Sequence, residues 1–159
     1  IKLGLQDTLY LGNLYARRDW GHARDYVRAM WLILNHSQPD DFVIATGKTT
    51  SVKEFCELAF SIAGINIEWK GEGINEVGID ADTGKTLIRI HPRYFRPAEV
   101  NLLCGNAEKA RSKLGWYPVC SLYELVKEMV THDLIEAEKE AHLSKKGFKT
   151  HLPQDIFFA

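Results

Sequence analysis

The sequence predicts an α/β fold. Three observations point to it: short apolar or alternating runs of strand length, helical-period apolar stripes lying between them, and two Ser-x-x-Glu capping boxes that open helices. No internal repeat and no low-complexity tract interrupts the alternation.

Leu9 to Leu11 form a brief apolar strand that stops at the turn signal Gly12-Asn13. A polar stretch follows, Tyr15-Ala16-Arg17-Arg18-Asp19-Trp20-Gly21. From His22 the period turns helical: Ala23, Tyr26, Val27, Met30, Trp31 and Leu34 make one stripe, expected to face a core. Asn35 to Asp41 is a loop containing Pro39, and Phe42-Val43-Ile44-Ala45 reads as a compact buried strand. Ser51-Val52-Lys53-Glu54 is a capping box. The helix behind it buries Val52, Phe55, Cys56, Ala59 and Phe60 and ends at Gly64. Ile65, Ile67 and Trp69 alternate as a strand.

Residues 70–85 are glycine-rich and acidic, a loop with room for a short strand, and Leu87-Ile88-Arg89-Ile90 is a further strand. Pro97 halts regular structure in Arg93-Tyr94-Phe95-Arg96-Pro97-Ala98-Glu99. Asn106 can cap a short helix running to Leu114 and closed by Gly115. Ser121-Leu122-Tyr123-Glu124 is the second capping box. Leu122, Leu125, Val126, Met129, Val130 and Leu134 form the stripe of its helix. From Glu136 the sequence is charged and loses that stripe. Residues after about Lys145 read as a tail, in which Ile156-Phe157-Phe158 could dock.

The 159 residues are 45% hydrophobic with a formal net charge of −1, enough for one core and too neutral to attract nucleic acid or an anionic membrane. Three cysteines, Cys56, Cys104 and Cys120, are an odd count without a C-x-x-C pair, and the six histidines are scattered. Free thiols in a reducing cytosol fit better than a disulfide framework or a zinc site. No apolar run reaches the roughly 20 residues of a membrane span, and no signal peptide is evident. The chain opens on Ile1, and Ile1-Lys2-Leu3-Gly4-Leu5 reads as the last turn of a helix capped by Gly4. A fragment of a longer protein is therefore expected.

Two arginine clusters stand out: Arg17-Arg18-Asp19-Trp20 between a strand end and a helix start, and Arg93 with Arg96 before Pro97 and Glu99. Arginines at element ends in α/β proteins are suited to phosphate, because the guanidinium fork matches its oxygens. Glu99 could accept from a ribose or sugar hydroxyl. The alternative is that these arginines are solvated or pair with Asp19, Asp25 or Glu99.

The run Gly12-Asn13-Leu14-Tyr15-Ala16-Arg17-Arg18-Asp19-Trp20-Gly21-His22-Ala23-Arg24-Asp25-Tyr26-Val27 resembles the signature of the GDP-mannose 4,6-dehydratases, which are extended short-chain dehydrogenases/reductases. So do Asp41 to Gly47, Glu76-Val77-Gly78, Pro92 to Val100 and Lys113-Leu114-Gly115-Trp116. These blocks follow the family's order over residues 1 to about 135. The resemblance implies the C-terminal, substrate-binding part of such an enzyme over 1–135, with the N-terminal Rossmann part absent, and a helical extension and tail of unassigned role over 136–159. It implies that Arg18 and Arg96 contact the diphosphate of GDP-mannose, that Glu99 holds the ribose, and that Asn13 lies beside the substrate. Arg17 takes no assigned role. It further implies a cytoplasmic, NADP-dependent lyase on the route to GDP-fucose and related deoxysugars, a homodimer or homotetramer. A nucleotide-sugar epimerase, a 4-keto reductase or a non-catalytic binding module is the alternative.

Gly71-Glu72-Gly73-Ile74-Asn75-Glu76-Val77-Gly78 has the wrong third spacing for a dinucleotide loop, and its glutamates would repel phosphate. Tyr123 and Lys127 have the Tyr-x-x-x-Lys spacing of the family's catalytic pair but follow the substrate blocks, whereas the family's pair precedes them. They are expected to be an exposed helix pair. No catalytic or cofactor-binding residue is expected within this chain. His22 reads as a helix-start residue, and Trp31, Trp69 and Trp116 as core or its margin.

Overall fold

A computed structural model describes residues 1–148. Strand β1 (Leu9–Leu11) opens the chain's ordered elements, and β2 (Arg17–Asp19) and α1 (Ala23–Leu34) follow. Strand β3 (Thr49–Ser51) runs directly into α2 (Val52–Ile62), and β4 (Ile67–Lys70) follows it. A single 3-10 turn, Gly73–Asn75, leads to β5 (Val77–Asp80) and β6 (Thr86–Ile90). The helices α3 (Glu108–Leu114) and α4 (Leu122–Lys145) complete the described elements. The main sheet has the order β1-β6-β5-β4, with β1 parallel to β6 and the other pairs antiparallel. The second sheet is the antiparallel pair β2-β3, with Arg17 opposite Ser51 and Asp19 opposite Thr49.

Both capping boxes form. Glu54 N–H donates to Ser51 Oγ at 3.1 Å while Ser51 N–H donates to Glu54 Oε2 at 2.7 Å. Ser121 and Glu124 repeat the exchange at the start of α4. Each satisfies amides that a helix start leaves orphaned. Gly115, in the left-handed region at φ +61°, closes α3 as expected.

Two small cores result. Cys56 and Phe60 of α2 pack with Ile65, Leu87 and Ile88 against the main sheet. Ala29 of α1 packs with Ala107, Ala110 and Trp116, flanked by Phe42 and Ile44. Trp116 is fully buried, and its indole N–H donates to the Asp25 carbonyl at 2.8 Å. Burial of so large a ring contributes about 3–5 kcal/mol.

Four expectations need correction. Most of the stripe expected to carry α1 onto a core faces outward: Val27, Met30, Trp31 and Leu34 are 61%, 61%, 62% and 83% exposed, while Tyr26 of the same stripe packs against the Trp116 core. The helix instead seats itself through Asp25, Ala29 and their neighbours, with the Asp25 carboxylate accepting from Val119 and Cys120 N–H. Periodicity marks an apolar face but cannot say what covers it. Trp31 accordingly belongs to no core. Phe42–Ala45 does not enter a ladder: Phe42 and Ile44 touch the Trp116 core, yet no strand pairs with the segment among the described residues. Finally, Arg17 and Arg18 lie in β2 and not in a loop, because Thr49–Ser51 offers that polar segment a partner 32 residues away. Within residues 70–85, β5 is the short strand for which the loop had room, and the charged stretch from Glu136 continues α4 to Lys145, as a helical extension would. Ile156-Phe157-Phe158 lies outside the described residues.

Candidate functional site

The site is assembled from the segment 12–19, leaving β1 and entering β2, and the segment 91–99, leaving β6. Because β1 and β6 pair in parallel, both exits emerge at the same end of the sheet. Gly12 permits their close approach: a Cβ there would stand 2.3 Å from the Tyr94 carbonyl oxygen, so a side chain would push the segments apart. Asn13 then staples them. Its amide nitrogen donates to the Arg96 carbonyl and its oxygen accepts from Arg96 N–H, each at 3.1 Å.

The four sequence-predicted site residues fall into one connected set. Asn13 holds the Arg96 backbone, Glu99 N–H donates to the Arg96 carbonyl at 3.2 Å, and Glu99 Oε1 accepts from Arg18 Nη2 at 2.6 Å. The Arg96 guanidinium is exposed, with no ion-pair partner among the described residues. The Arg18 guanidinium is committed on both nitrogens, since Nη1 donates to the Arg17 and Val100 carbonyls at 2.9 and 2.8 Å. One of the alternatives left open by the sequence, an Arg–Glu99 pair, is therefore real for Arg18. It does not extend to Asp19 or Asp25, which accept from backbone amides instead.

Arg17 is absorbed by structure. Its nitrogens donate to Thr49 Oγ1, the Thr49 carbonyl and Glu54 Oε2, tying β2 to β3 and to the start of α2. Asp19 organises the floor beside Arg18. Oδ1 accepts from Thr46 N–H and Oγ1, and Oδ2 from the amides of Gly47 and Gly105. Burial opposes its charge, but these bonds outweigh burial and hold the carboxyl below the usual aspartate range.

Sequence reasoning missed a cluster under the same loop, Tyr15, Lys53 and the buried Glu76, in which Glu76 Oε1 accepts from the other two. The signal available was Glu76 within a polar stretch, but nothing local joins it to Lys53. The glycine-rich run around it forms the 3-10 turn and β5, with the Glu76 carboxylate turned into the protein. That arrangement does not fit a dinucleotide pyrophosphate. Tyr123 is 54% exposed, and Lys127 Nζ lies 5.9 Å from the centroid of its ring.

Comparison with known proteins gives the chain's family. The family model described as GDP-mannose 4,6 dehydratase matches residues 1–129. A GDP-mannose 4,6-dehydratase of Sinorhizobium fredii is 58% identical over 134 residues, 84% of this chain and 38% of that protein. GDP-mannose 4,6 dehydratase 2 of Caenorhabditis elegans is 54% identical over 143 residues, 89% of this chain and 37% of its own. Among solved structures, RMD from Pseudomonas aeruginosa complexed with NADPH superposes with a TM-score of 0.63 at 20% identity, covering 82% of this chain and 37% of that one. A dTDP-glucose 4,6-dehydratase from Bacillus anthracis in complex with NAD gives 0.59 at 18% identity, covering 79% and 34%. This chain shares its mixed α/β fold with a part of each of these two proteins. The chain belongs to the GDP-mannose 4,6-dehydratase family. It spans somewhat over a third of the length of the relatives it matches.

Proposed function

We propose that this chain is the nucleotide-sugar-gripping segment of a longer GDP-mannose 4,6-dehydratase. The observation that carries the proposal is the linked set Asn13, Arg96, Glu99 and Arg18, standing where two parallel strands of a family member deliver their exits. Arg96 and Arg18 supply charge for the diphosphate, and Glu99 takes the ribose hydroxyls. Asn13 acts by fixing Arg96, since both ends of its amide are already used on that residue's backbone.

The reaction is the internal dehydration of GDP-mannose to GDP-4-dehydro-6-deoxymannose with loss of one water, a step toward GDP-fucose and other deoxysugars. The residues of this chain hold and orient the substrate. NADP, which the family resemblance implies, does not fit the glycine-rich run here, which forms a 3-10 turn and β5 and carries the carboxylates of Glu72 and Glu76. Its site and the acid–base groups belong to the remainder of the longer protein. The outward apolar face of α1 and the unpaired segment 42–45 support such a remainder, since faces of this kind ordinarily lie in an interface. The proposed enzyme is cytoplasmic and a homodimer or homotetramer. Among the described residues no helix is long and apolar enough to cross a membrane.

The test is product analysis of the full-length protein with GDP-mannose and NADP. A deoxy product lighter by one water is expected, and the 159-residue chain alone should be silent. A returned epimer without deoxysugar would overturn the assignment.

A further inference from the structure

Tyr15, Lys53 and Glu76 form a cluster that none of the roles above uses. Glu76 is only 3% exposed. Its Oε1 accepts from Lys53 Nζ at 2.6 Å and from the Tyr15 hydroxyl at 2.9 Å, and Lys53 Nζ lies 3.2 Å from that hydroxyl. The ammonium stands over the rings of Trp69 and Tyr15, at 4.6 and 5.2 Å from their centroids. Glu76 Oε2 is buried without a hydrogen-bond partner among the described residues.

A carboxylate buried with one oxygen unmatched is a poor way to hold β5 against α2. An apolar pair of similar volume would serve as well or better. What the charges add is direction, and they direct it at one loop. Lys53 N–H donates to the Leu14 carbonyl at 2.8 Å, and Val52 N–H to the Ala16 carbonyl at 3.1 Å. The start of α2 therefore grips residues 14 and 16 by the backbone, and the ion pair grips Tyr15 between them by its hydroxyl. Asn13 lies on one side of these three pegs and Arg18 on the other.

We propose that the Lys53–Glu76 pair is a positioning device for the nucleotide-sugar loop, acting through the Tyr15 hydroxyl to hold Asn13 and Arg18 in place before ligand arrives. The inference rests on the GDP-sugar reading above. Lys53 acts as a fixed cation and not as a base: burial opposes its charge, but the hydrogen bonds to Glu76 and Tyr15 prevail and hold its pKa above the ordinary lysine value.

Tyr15 separates positioning from simple stapling, because the residue is 63% exposed and belongs to neither core cluster, so loss of its hydroxyl leaves the core intact. In the full-length protein, Tyr15→Phe is expected to weaken GDP binding in calorimetry, and to raise KM for GDP-mannose, by about two- to tenfold with kcat held within about twofold. Its melting temperature should move by less than about 2 °C. Glu76→Gln should weaken GDP at least as much, while Lys53→Arg, which keeps the pair, should stay within about twofold of the wild type. If Tyr15→Phe leaves GDP affinity unchanged, or Glu76→Gln lowers only the melting temperature, the pair is a staple and the proposal is wrong. Should the wild type bind GDP yet form no deoxysugar, the dehydratase reading fails while the affinity series still decides the role of Tyr15. A wild type that does not bind GDP would overturn both.

Discussion

Arg18 Nη2 and Glu99 Oε1 meet at 2.6 Å across 81 residues of chain, tying together the two segments that we propose grip the nucleotide sugar. Both side chains are three-quarters or more buried, which makes the contact stronger than a surface pair. Ligand must either bridge the two or part them. A double-mutant cycle on Arg18→Ala and Glu99→Ala, read by denaturant unfolding of the full-length protein, should give a coupling of about 0.5–2 kcal/mol without GDP. At saturating GDP the coupling should collapse toward zero, as diphosphate and ribose replace the mutual contact. A coupling indifferent to GDP would place the nucleotide elsewhere.

Asp19 should matter through acid stability. Its folded pKa is depressed because hydrogen bonds from Thr46, Gly47 and Gly105 outweigh the burial penalty. The unfolded carboxyl keeps the ordinary, higher value, so this contribution is fully present above the ordinary aspartate range. It is lost as pH falls through the depressed folded value. Asp19→Asn turns one acceptor into a donor facing two amides, and should cost roughly 2–3 kcal/mol near neutral pH. The penalty should shrink in melts taken at increasingly acid pH, and a pH-independent penalty would contradict the hydrogen-bond account.

Tyr123 and Lys127 provide the negative control. Their spacing imitates a catalytic pair, but Tyr123 is more than half exposed and its contact with Lys127 is a long cation–π approach. Tyr123→Phe and Lys127→Ala in the full-length enzyme should each leave kcat/KM within about threefold, in line with surface substitutions. A loss of several orders of magnitude would move the chemistry into this chain.

The elements that sequence locates well are those whose reasons are local. Ser51 and Glu54, or Ser121 and Glu124, lie three residues apart, and Gly115 closes α3 from the adjacent position. Among the candidate site residues, Arg18, Arg96 and Glu99 were legible as charged groups at element ends, and Asn13 only through the family-like block that contains it. Their geometry was not, since the Asn13 staple to Arg96 spans 83 residues. Strand β2 escaped because Arg17-Arg18-Asp19 has no apolar alternation and is strand only by pairing with Thr49–Ser51. The Lys53–Glu76 pair escaped for the same reason, being joined by tertiary structure alone. In α1 the period was right and the facing wrong. Asp25, a residue that periodicity counts as polar, is buried because Val119 and Cys120 amides satisfy it.

That outward face of α1 yields the last prediction. Val27, Met30, Trp31 and Leu34 stand at i, i+3, i+4 and i+7, so they form one continuous strip of large apolar side chains, all more than 60% exposed. In the 159-residue chain Trp31 is 62% exposed and belongs to neither core cluster among the described residues, and Trp31→Glu should change its stability by less than about 0.5 kcal/mol. The same substitution should reduce self-association of that chain in light scattering, because it breaks the strip with a charge. In the full-length protein the proposal places this strip inside an interface. There Trp31→Glu buries an unpaired carboxylate and should lower the melting temperature by several degrees, roughly what a loss of 2–4 kcal/mol produces in a large domain. Equal tolerance in both settings would show that the strip is solvent-facing in the whole protein, and would remove the main structural support for a covering segment.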